Sequence, residues 1–327
     1  MPPDQSLVTT ISYAELQSSS PAVLAKIAQG FGDGDTCKGI IAITDIPSFP
    51  ALRTKALKLI HRLATESSSE TLEELEDANS YYSVGWSHGK EKVEADKFDT
   101  GKGSFYFNPI TDDPLKAILE RDFGTSDQAQ KALGTEKTEK EKKEFIKHAE
   151  GNGAFYASNI WPDRTLPELR NTVMELGELI RNIGKIVAGQ CDEYVMSQCD
   201  SYSPGTIQNV IDNSLCCKAR LLHYFPVVAE NENCVKEIVD NGNPSIDIQD
   251  GTIREDVDFS DWCGWHNDHC SLTGLVPGMY FNADGKEVQC PDPTAGLYIK
   301  SRNGELVHVK VPSDALAFQI GGECVSV

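Results

Sequence analysis

The chain has 327 residues and a formal net charge of −20, because 50 Asp and Glu residues outnumber 30 Lys and Arg residues. This length can bury a large core, arranged in one or two domains. The negative charge disfavours nucleic acids and anionic membrane surfaces as partners, since clustered cations bind both of them.

The N-terminus gives no targeting signal. MPPDQSLVTTISY contains neither a basic region nor an apolar run, and no apolar stretch of the sequence is long enough to span a bilayer. The ten cysteines follow neither a disulfide framework nor a pair of CxxC knuckles. We therefore expect a cytoplasmic protein with mostly reduced thiols.

Three segments of the first 200 residues have helical character. A β-rich run, IIAITDI at 40–46, precedes PSFPALRTKALKLIHRLA, whose apolar residues share one helical face. Residues 134–151 are dense in charges of both signs and predict a solvated helix or a mobile insertion. One long helix is predicted where apolar residues recur at steps of three and four: Leu169, Val173, Leu176, Ile180, Ile183 and Val187.

The C-terminal third contains short β-rich runs separated by turn residues: ARLLHYF, GLYIKS, ELVHVKV and ALAFQI. Asn303-Gly304 predicts a hairpin between the second and third runs. An antiparallel sheet or barrel backed by helices is the natural assembly. GWSHGKE and KGSFYFNP instead predict loops that cover a pocket mouth, although their aromatic residues could equally anchor a loop on the core.

A candidate metal site lies in the stretch GWHNDHCSLTGL, where His266 and Asp268 are two positions apart. In a strand, side chains at this spacing leave the same face about 7 Å apart and can converge on one ion. Together with a His from another strand, such a pair forms the 2-His-1-carboxylate triad of non-haem iron(II) oxygenases. An isolated HxD pattern also arises by chance on a surface strand or turn.

Other residues offer competing metal ligands. His308 is a weak candidate, because it shares a strand face with Lys310 while the alternating valines face inward. A zinc site with closely spaced ligands is a second hypothesis, although zinc ligand pairs are usually well separated; its ligands would be Cys263, His266, His269 and Cys270.

These motifs together resemble the plant-type, isopenicillin N synthase-like family of 2-oxoglutarate- and iron(II)-dependent dioxygenases. WHNDHCSLTGL resembles the HxD of the family with its Ser/Thr-Leu-Thr run, and ARLLHYFP resembles its R-L-x-Y-x-P strand. AGLYIKSRNGELVHVKVPSDALAFQIG is similar to the hairpin and the IG strand that follow in the family. The resemblance covers nearly the whole chain.

The resemblance implies a mainly β fold with helices. Residues 201–327 would form a double-stranded β-helix, or jelly-roll, core. Residues 1–200 would form a largely helical N-terminal region with short strands, and its long central helix would back the core.

The resemblance also implies the chemistry. His266 and Asp268 would ligate Fe(II), while Tyr224 and His223 would help to bind the cosubstrate 2-oxoglutarate. The family often has Asn at the position of His223. The implied reaction couples decarboxylation of 2-oxoglutarate to oxidation of a small organic substrate by dioxygen, with ascorbate as a further candidate cofactor.

In the family, a distal His ligand and an R-x-S motif lie beyond the IG strand, where this chain reads AFQIGGECVSV. We therefore expect a jelly roll that is incomplete at its C-terminal end, from a truncated sequence. The alternative hypothesis is a non-catalytic form of the same fold that at most binds a ligand or a partner.

Overall fold

The computed structural model describes residues 8–94, 97–124, 138–226, 265–290, 295–301, 304 and 306–322. These residues belong to two compact units. The first takes its residues from Met1–Thr54, Leu179–Asp212 and Val227–Val327, and the second from Lys55–Glu178 and Asn213–Pro226. The boundary at residue 200 that the sequence suggests remains a prediction.

The described part of the chain combines strands with helices. The strands are β1 (Thr9–Ser12), β2 (Ile40–Thr44), β3 (Gly85–His88), β4 (Lys92–Glu94), β5 (Lys97–Phe98), β6 (Lys102–Phe107), β7 (Ala219–Tyr224), β8 (Leu272–Leu275), β9 (Tyr280–Phe281), β10 (Glu287–Val288), β11 (Leu297–Lys300), β12 (Leu306–Val309) and β13 (Leu316–Ile320). The helices are α1 (Tyr13–Leu16), α2 (Pro21–Phe31), α3 (Phe49–Glu66), α4 (Ser69–Glu73), α5 (Pro114–Phe123), α6 (Glu139–Glu150), α7 (Gly153–Tyr156), α8 (Glu168–Gln198) and α9 (Thr206–Asn213).

A four-stranded sheet organises the first unit, with the strand order β1-β2-β13-β8. β1 and β2 are parallel, whereas β13 pairs antiparallel with β2 on one side and with β8 on the other. Ile41, Ile43 and Phe318 on the two inner strands are almost completely buried. This continuous apolar character, which the runs IIAITDI and ALAFQI show in the sequence, is typical of strands that are covered on both faces.

The predicted hairpin is confirmed. β11 pairs antiparallel with β12, from Leu297 opposite Val309 to Lys300 opposite Leu306. Val307 and Val309 are buried, and the ring of His308 stacks on that of Tyr298 with centroids 4.5 Å apart. His308 therefore lies on the strand face opposite to the buried valines, as predicted. The complete double-stranded β-helix remains a prediction.

The second unit contains a three-stranded antiparallel sheet in the order β3-β6-β7. The prediction of loops at GWSHGKE and KGSFYFNP is wrong, because these residues form β3 and β6. Trp86, Phe105 and Phe107 are buried together on one face, which follows from the alternation of apolar and polar residues along a strand. The structure thus agrees with the alternative interpretation, in which these aromatic residues are anchored in a core.

The helices follow the apolar periodicity. α3 buries Ala56, Leu59, Ile60 and Leu63, and α8 buries Leu169, Val173, Leu176, Ile183 and Val187, whereas Ile180 is half-buried. The charged segment forms the mainly exposed α6, while residues 134–137 lie outside the described residues. Among the described helices, none is long and apolar enough to cross a membrane.

A buried carboxylate joins α8 to the segment that leads into α9. Asp192 on α8 accepts hydrogen bonds from the Tyr202 hydroxyl at 2.5 Å and from the backbone amides of Ile207 and Gln208 at 2.9 Å. These two amides belong to the first turn of α9, where backbone donors have no partner within the helix. Burial and the bond to Asp192 raise the pKa of Tyr202 to about 12.

Replacement of Asp192 by Ala should lower the free energy of unfolding by about 2–4 kcal/mol, since three donors then lose their acceptor in a partly buried setting. Urea denaturation measures the change. Glu193→Ala is the matched control, because Glu193 is adjacent and exposed, and it should change stability by about 0.5 kcal/mol or less. Equal effects of the two substitutions would contradict the role of Asp192.

Candidate metal centre

His266 and Asp268 lie in a segment without regular secondary structure that precedes β8. The expectation that both residues lie in a strand is wrong, because the ladder with β13 begins only at Leu272. The loop is nevertheless held to the sheet. The backbone amide of Gly322, just beyond β13, donates to the carbonyl of Asp268 at 2.8 Å, and that of Gly321 donates to Ser271 at 3.3 Å.

The two side chains converge although they do not lie in a strand. His266 Nε2 is 3.3 Å from Asp268 Oδ1, and the side chains are 60% and 27% exposed, respectively. The second carboxylate oxygen, Asp268 Oδ2, accepts a hydrogen bond of 2.5 Å from the hydroxyl of Thr273. One nitrogen and one oxygen therefore face each other at the open side of the loop.

This separation fits two neighbouring ligands of one metal ion. Two ligand atoms that each lie about 2.1 Å from an ion are about 3.0 Å apart at an angle of 90° and about 3.4 Å apart at the tetrahedral angle. The observed 3.3 Å lies within that interval. The same contact also suits a surface ion pair of protonated His266 with Asp268, which would contribute only about 0–1 kcal/mol to stability.

The third ligand is not found within the described part of the chain, where no three His, Cys, Asp or Glu residues are arranged to hold a metal ion. The alternative zinc cluster includes Cys263, which lies outside the described residues. The structure therefore brings together two of the predicted ligands, an imidazole and a carboxylate, and this donor set suits Fe(II).

The two residues predicted to bind the cosubstrate, His223 and Tyr224, both lie on β7 in the second unit. As consecutive residues of a strand, they project from opposite faces. His223 packs against the rings of His61 and Phe225, with centroid distances of 5.3 and 4.8 Å, whereas Tyr224 is 43% exposed. One small molecule on one face of this sheet would therefore contact only one of them.

The environment of His223 disfavours its charged form. Burial is the main cause and the nearby histidines His61 and His88 add to it, so that the pKa of His223 is lowered to about 4. Next to it, His88 on β3 packs against the Phe225 ring at 4.8 Å and bonds the carbonyl of Thr100 through Nε2 at 2.9 Å. His223 is therefore a neutral residue of an aromatic cluster at neutral pH.

A polar network that was not predicted from the sequence lies on the opposite face of this sheet from His223. Glu91 accepts hydrogen bonds from the Tyr106 hydroxyl at 2.6 Å and from Arg220 at 3.0 Å, and Arg220 also donates to Ser104 at 2.8 Å. Burial and the bond to Glu91 raise the pKa of Tyr106. The signal in the sequence was the alternation of Lys102, Ser104 and Tyr106 with Gly103, Phe105 and Phe107.

The sequence matches no protein-family model and no curated protein. Among solved structures, its fold is similar to that of a Caulobacter crescentus protein described as a 2OG-Fe(II) oxygenase family protein, with 14% identity and a TM-score of 0.56 over 97% of this chain and 75% of that chain. It is also similar to a full-length Neurospora crassa protein in complex with alpha-KG, with 17% identity and a TM-score of 0.55 over 97% of this chain and 74% of that chain. A complex of the same Neurospora crassa protein with alpha-KG and thymine gives 16% identity and a TM-score of 0.54 over 97% and 75% of the two chains.

At these identities the likeness concerns the fold. The chain has a mixed fold of helices and sheets that is similar to the folds of these proteins.

The loop of His266 and Asp268 depends on a glycine at the end of β13. A Cβ atom at Gly321 would lie 1.8 Å from the carbonyl oxygen of Cys270, whereas one at Gly322 would meet nothing closer than 3.7 Å. We predict that Gly321→Ala lowers the free energy of unfolding by about 1–3 kcal/mol, because backbone must move. Gly322→Ala is the control and should have a much smaller effect in the same urea titration; equal losses would argue against the close approach.

The second unit should lose stability on acidification. The pKa of His223 is about 4 in the folded protein and about 6.5 in the unfolded chain, so the unfolded chain binds the proton more readily. The contribution of His223 to the free energy of unfolding is therefore fully present above about pH 6.5 and is lost as the pH falls towards 4. We predict that His223→Phe reduces this decline in thermal unfolding followed between pH 7 and 4. His148→Phe, on the mainly exposed α6, is the control. An unchanged decline in His223→Phe would contradict the assignment.

Proposed function

We propose that this chain is a 2-oxoglutarate- and iron(II)-dependent oxygenase that oxidises a small organic substrate with dioxygen. The observation that carries the proposal is the approach of His266 Nε2 to Asp268 Oδ1 at 3.3 Å. It occurs in a chain whose fold is similar to that of a 2OG-Fe(II) oxygenase family protein and of a protein solved with alpha-KG. We further propose a double-stranded β-helix core, a cytoplasmic location and membership of the isopenicillin N synthase-like branch.

His266 and Asp268 would hold the iron. Bound Fe(II) would supply open coordination positions for 2-oxoglutarate and dioxygen, and ascorbate would serve as the reductant that keeps the metal ferrous. His266 would provide a ring nitrogen as a metal ligand. Asp268 would provide a negative charge and the oxygen Oδ1, which Thr273 does not bond. The exposure of His266 leaves this side of the loop accessible to small molecules.

For the cosubstrate, we propose Tyr224 as a binding residue in preference to His223. The Tyr224 side chain is 43% exposed and can donate a hydrogen bond to a carboxylate, whereas His223 packs between aromatic rings. Tyr224→Phe keeps the ring and removes only this donor. It therefore separates hydrogen bonding from packing in a measurement of the KM for 2-oxoglutarate.

The decisive experiment measures succinate formed from 2-oxoglutarate by the full chain with Fe(II), ascorbate and a panel of small organic substrates. We expect turnover by the wild type and a loss of at least about 100-fold in His266→Ala and Asp268→Ala, because each variant loses a metal ligand. His148→Ala is the control, since this exposed histidine on α6 belongs to none of the candidate ligand sets, and it should leave turnover unchanged.

Two results would count against the proposal. Turnover in His266→Ala and Asp268→Ala that equals the turnover of the wild type would show that the metal centre does not lie in this loop. Metal binding by the wild type without succinate formation from any substrate in the panel would instead favour the non-catalytic alternative, a protein of the same fold that only binds ligands.

A further inference from the structure

The carboxylate of Asp268 is held by a short chain of hydrogen bonds that begins on β8. Thr273 Oγ1 is 2.5 Å from Asp268 Oδ2, and Cys270 Sγ is 3.0 Å from Thr273 Oγ1. All three residues are half-buried, so water has limited access to these bonds. These hydrogen bonds therefore join β8 to Asp268, one of the two proposed metal ligands.

The direction of these bonds follows from the donor capacity of each group. An ionised carboxylate only accepts hydrogen bonds, so the single hydroxyl proton of Thr273 points to Asp268. Thr273 must then accept in its contact with Cys270, whose thiol donates. Hydrogen bonds from a hydroxyl to a carboxylate are among the short and strong ones, at about 2.5–2.7 Å.

This bond distinguishes the two oxygens of Asp268. Oδ2 is engaged by Thr273, whereas Oδ1 faces His266 Nε2 at 3.3 Å. A carboxylate held in this way offers one oxygen to a metal ion. It would therefore fill one coordination position of a bound ion and would leave the remaining positions to other ligands.

Both ends of the bond are anchored to the same strand. Thr273 is paired with Gln319 of β13, and the carbonyl of Asp268 accepts a bond from Gly322 directly beyond β13. Because the donor and the acceptor share one support, the hydroxyl and the carboxylate keep their relative position without a metal ion.

We propose that Thr273 is a positioning residue that presents Oδ1 of Asp268 to the metal ion beside His266. The inference rests on the proposed function, because it assumes that His266 and Asp268 bind a divalent cation. Groups that orient metal ligands through hydrogen bonds typically change metal affinity by about 10–100-fold when they are removed.

The test uses Mn(II) alone as the probe, with the free ion followed by electron paramagnetic resonance in titrations of the full chain. Thr273→Val keeps the branched shape at Cβ and removes the hydroxyl, so Mn(II) affinity should fall by about 10–100-fold. Thr273→Ser restores the hydroxyl and should return the affinity to within about threefold of the wild type. If Thr273→Val does not fold, Thr273→Ala is compared with Thr273→Ser in its place.

A spectroscopic measurement separates positioning from general destabilisation. Without the Thr273 bond, both oxygens of Asp268 are free to bind, so the visible absorption of bound Co(II) should change in Thr273→Val and not in Thr273→Ser. Thr65→Val is the matched control, because Thr65 is exposed on α3 and its hydroxyl donates to the carbonyl of His61 at 2.8 Å. It should alter neither the Mn(II) affinity nor the Co(II) spectrum.

The outcomes separate this inference from the proposed function. Absence of Mn(II) binding by the wild type, or binding that survives in His266→Ala, would overturn the metal centre and the role of Thr273 with it. Mn(II) binding that requires His266 but is equal in the wild type and Thr273→Val would overturn the role of Thr273 alone.

Discussion

The antiparallel pairing of β13 with both β2 and β8 is the constraint on which the candidate site depends. It places Gly321 and Gly322 beneath the loop of His266 and Asp268, where their amides bond Ser271 and Asp268. A side chain at Gly321 would collide with the carbonyl of Cys270. Backbone atoms therefore support the loop from the side of the sheet, and His266 Nε2 and Asp268 Oδ1 lie on its more exposed side.

Much of the secondary structure could be predicted because apolar periodicity reports burial. The runs that became β2, β12 and β13, and the repeats that became α3 and α8, bury most of the residues that the pattern selects, whereas β11 only half-buries Leu297 and Ile299. β3 and β6 were missed because glycine and aromatic residues are common in both loops and strands. The alternation that distinguishes a strand was present in KGSFYF. On its polar face, however, Tyr106 donates to Glu91 and Ser104 accepts from Arg220, and both of these partners lie outside β3 and β6.

The proximity of His266 and Asp268 could be predicted from the sequence, but the backbone conformation and the hydrogen bonds that hold them could not. The HxD spacing correctly joined His266 to Asp268, although a loop and not a strand brings them together. The hydrogen bond from Thr273 was not predictable, because side-chain contacts within a loop depend on where the next strand begins. The placement of His223 and Tyr224 on opposite faces follows from strand geometry alone, once ARLLHY is recognised as β7.

The strand order of the four-stranded sheet also has a consequence for biosynthesis. β1 and β2 are close together in the sequence, but the other edge of β2 pairs with β13, which is translated long after β2. Until then, the apolar Ile40–Thr44 strand presents an unpaired edge, the feature that promotes intermolecular association in nascent chains.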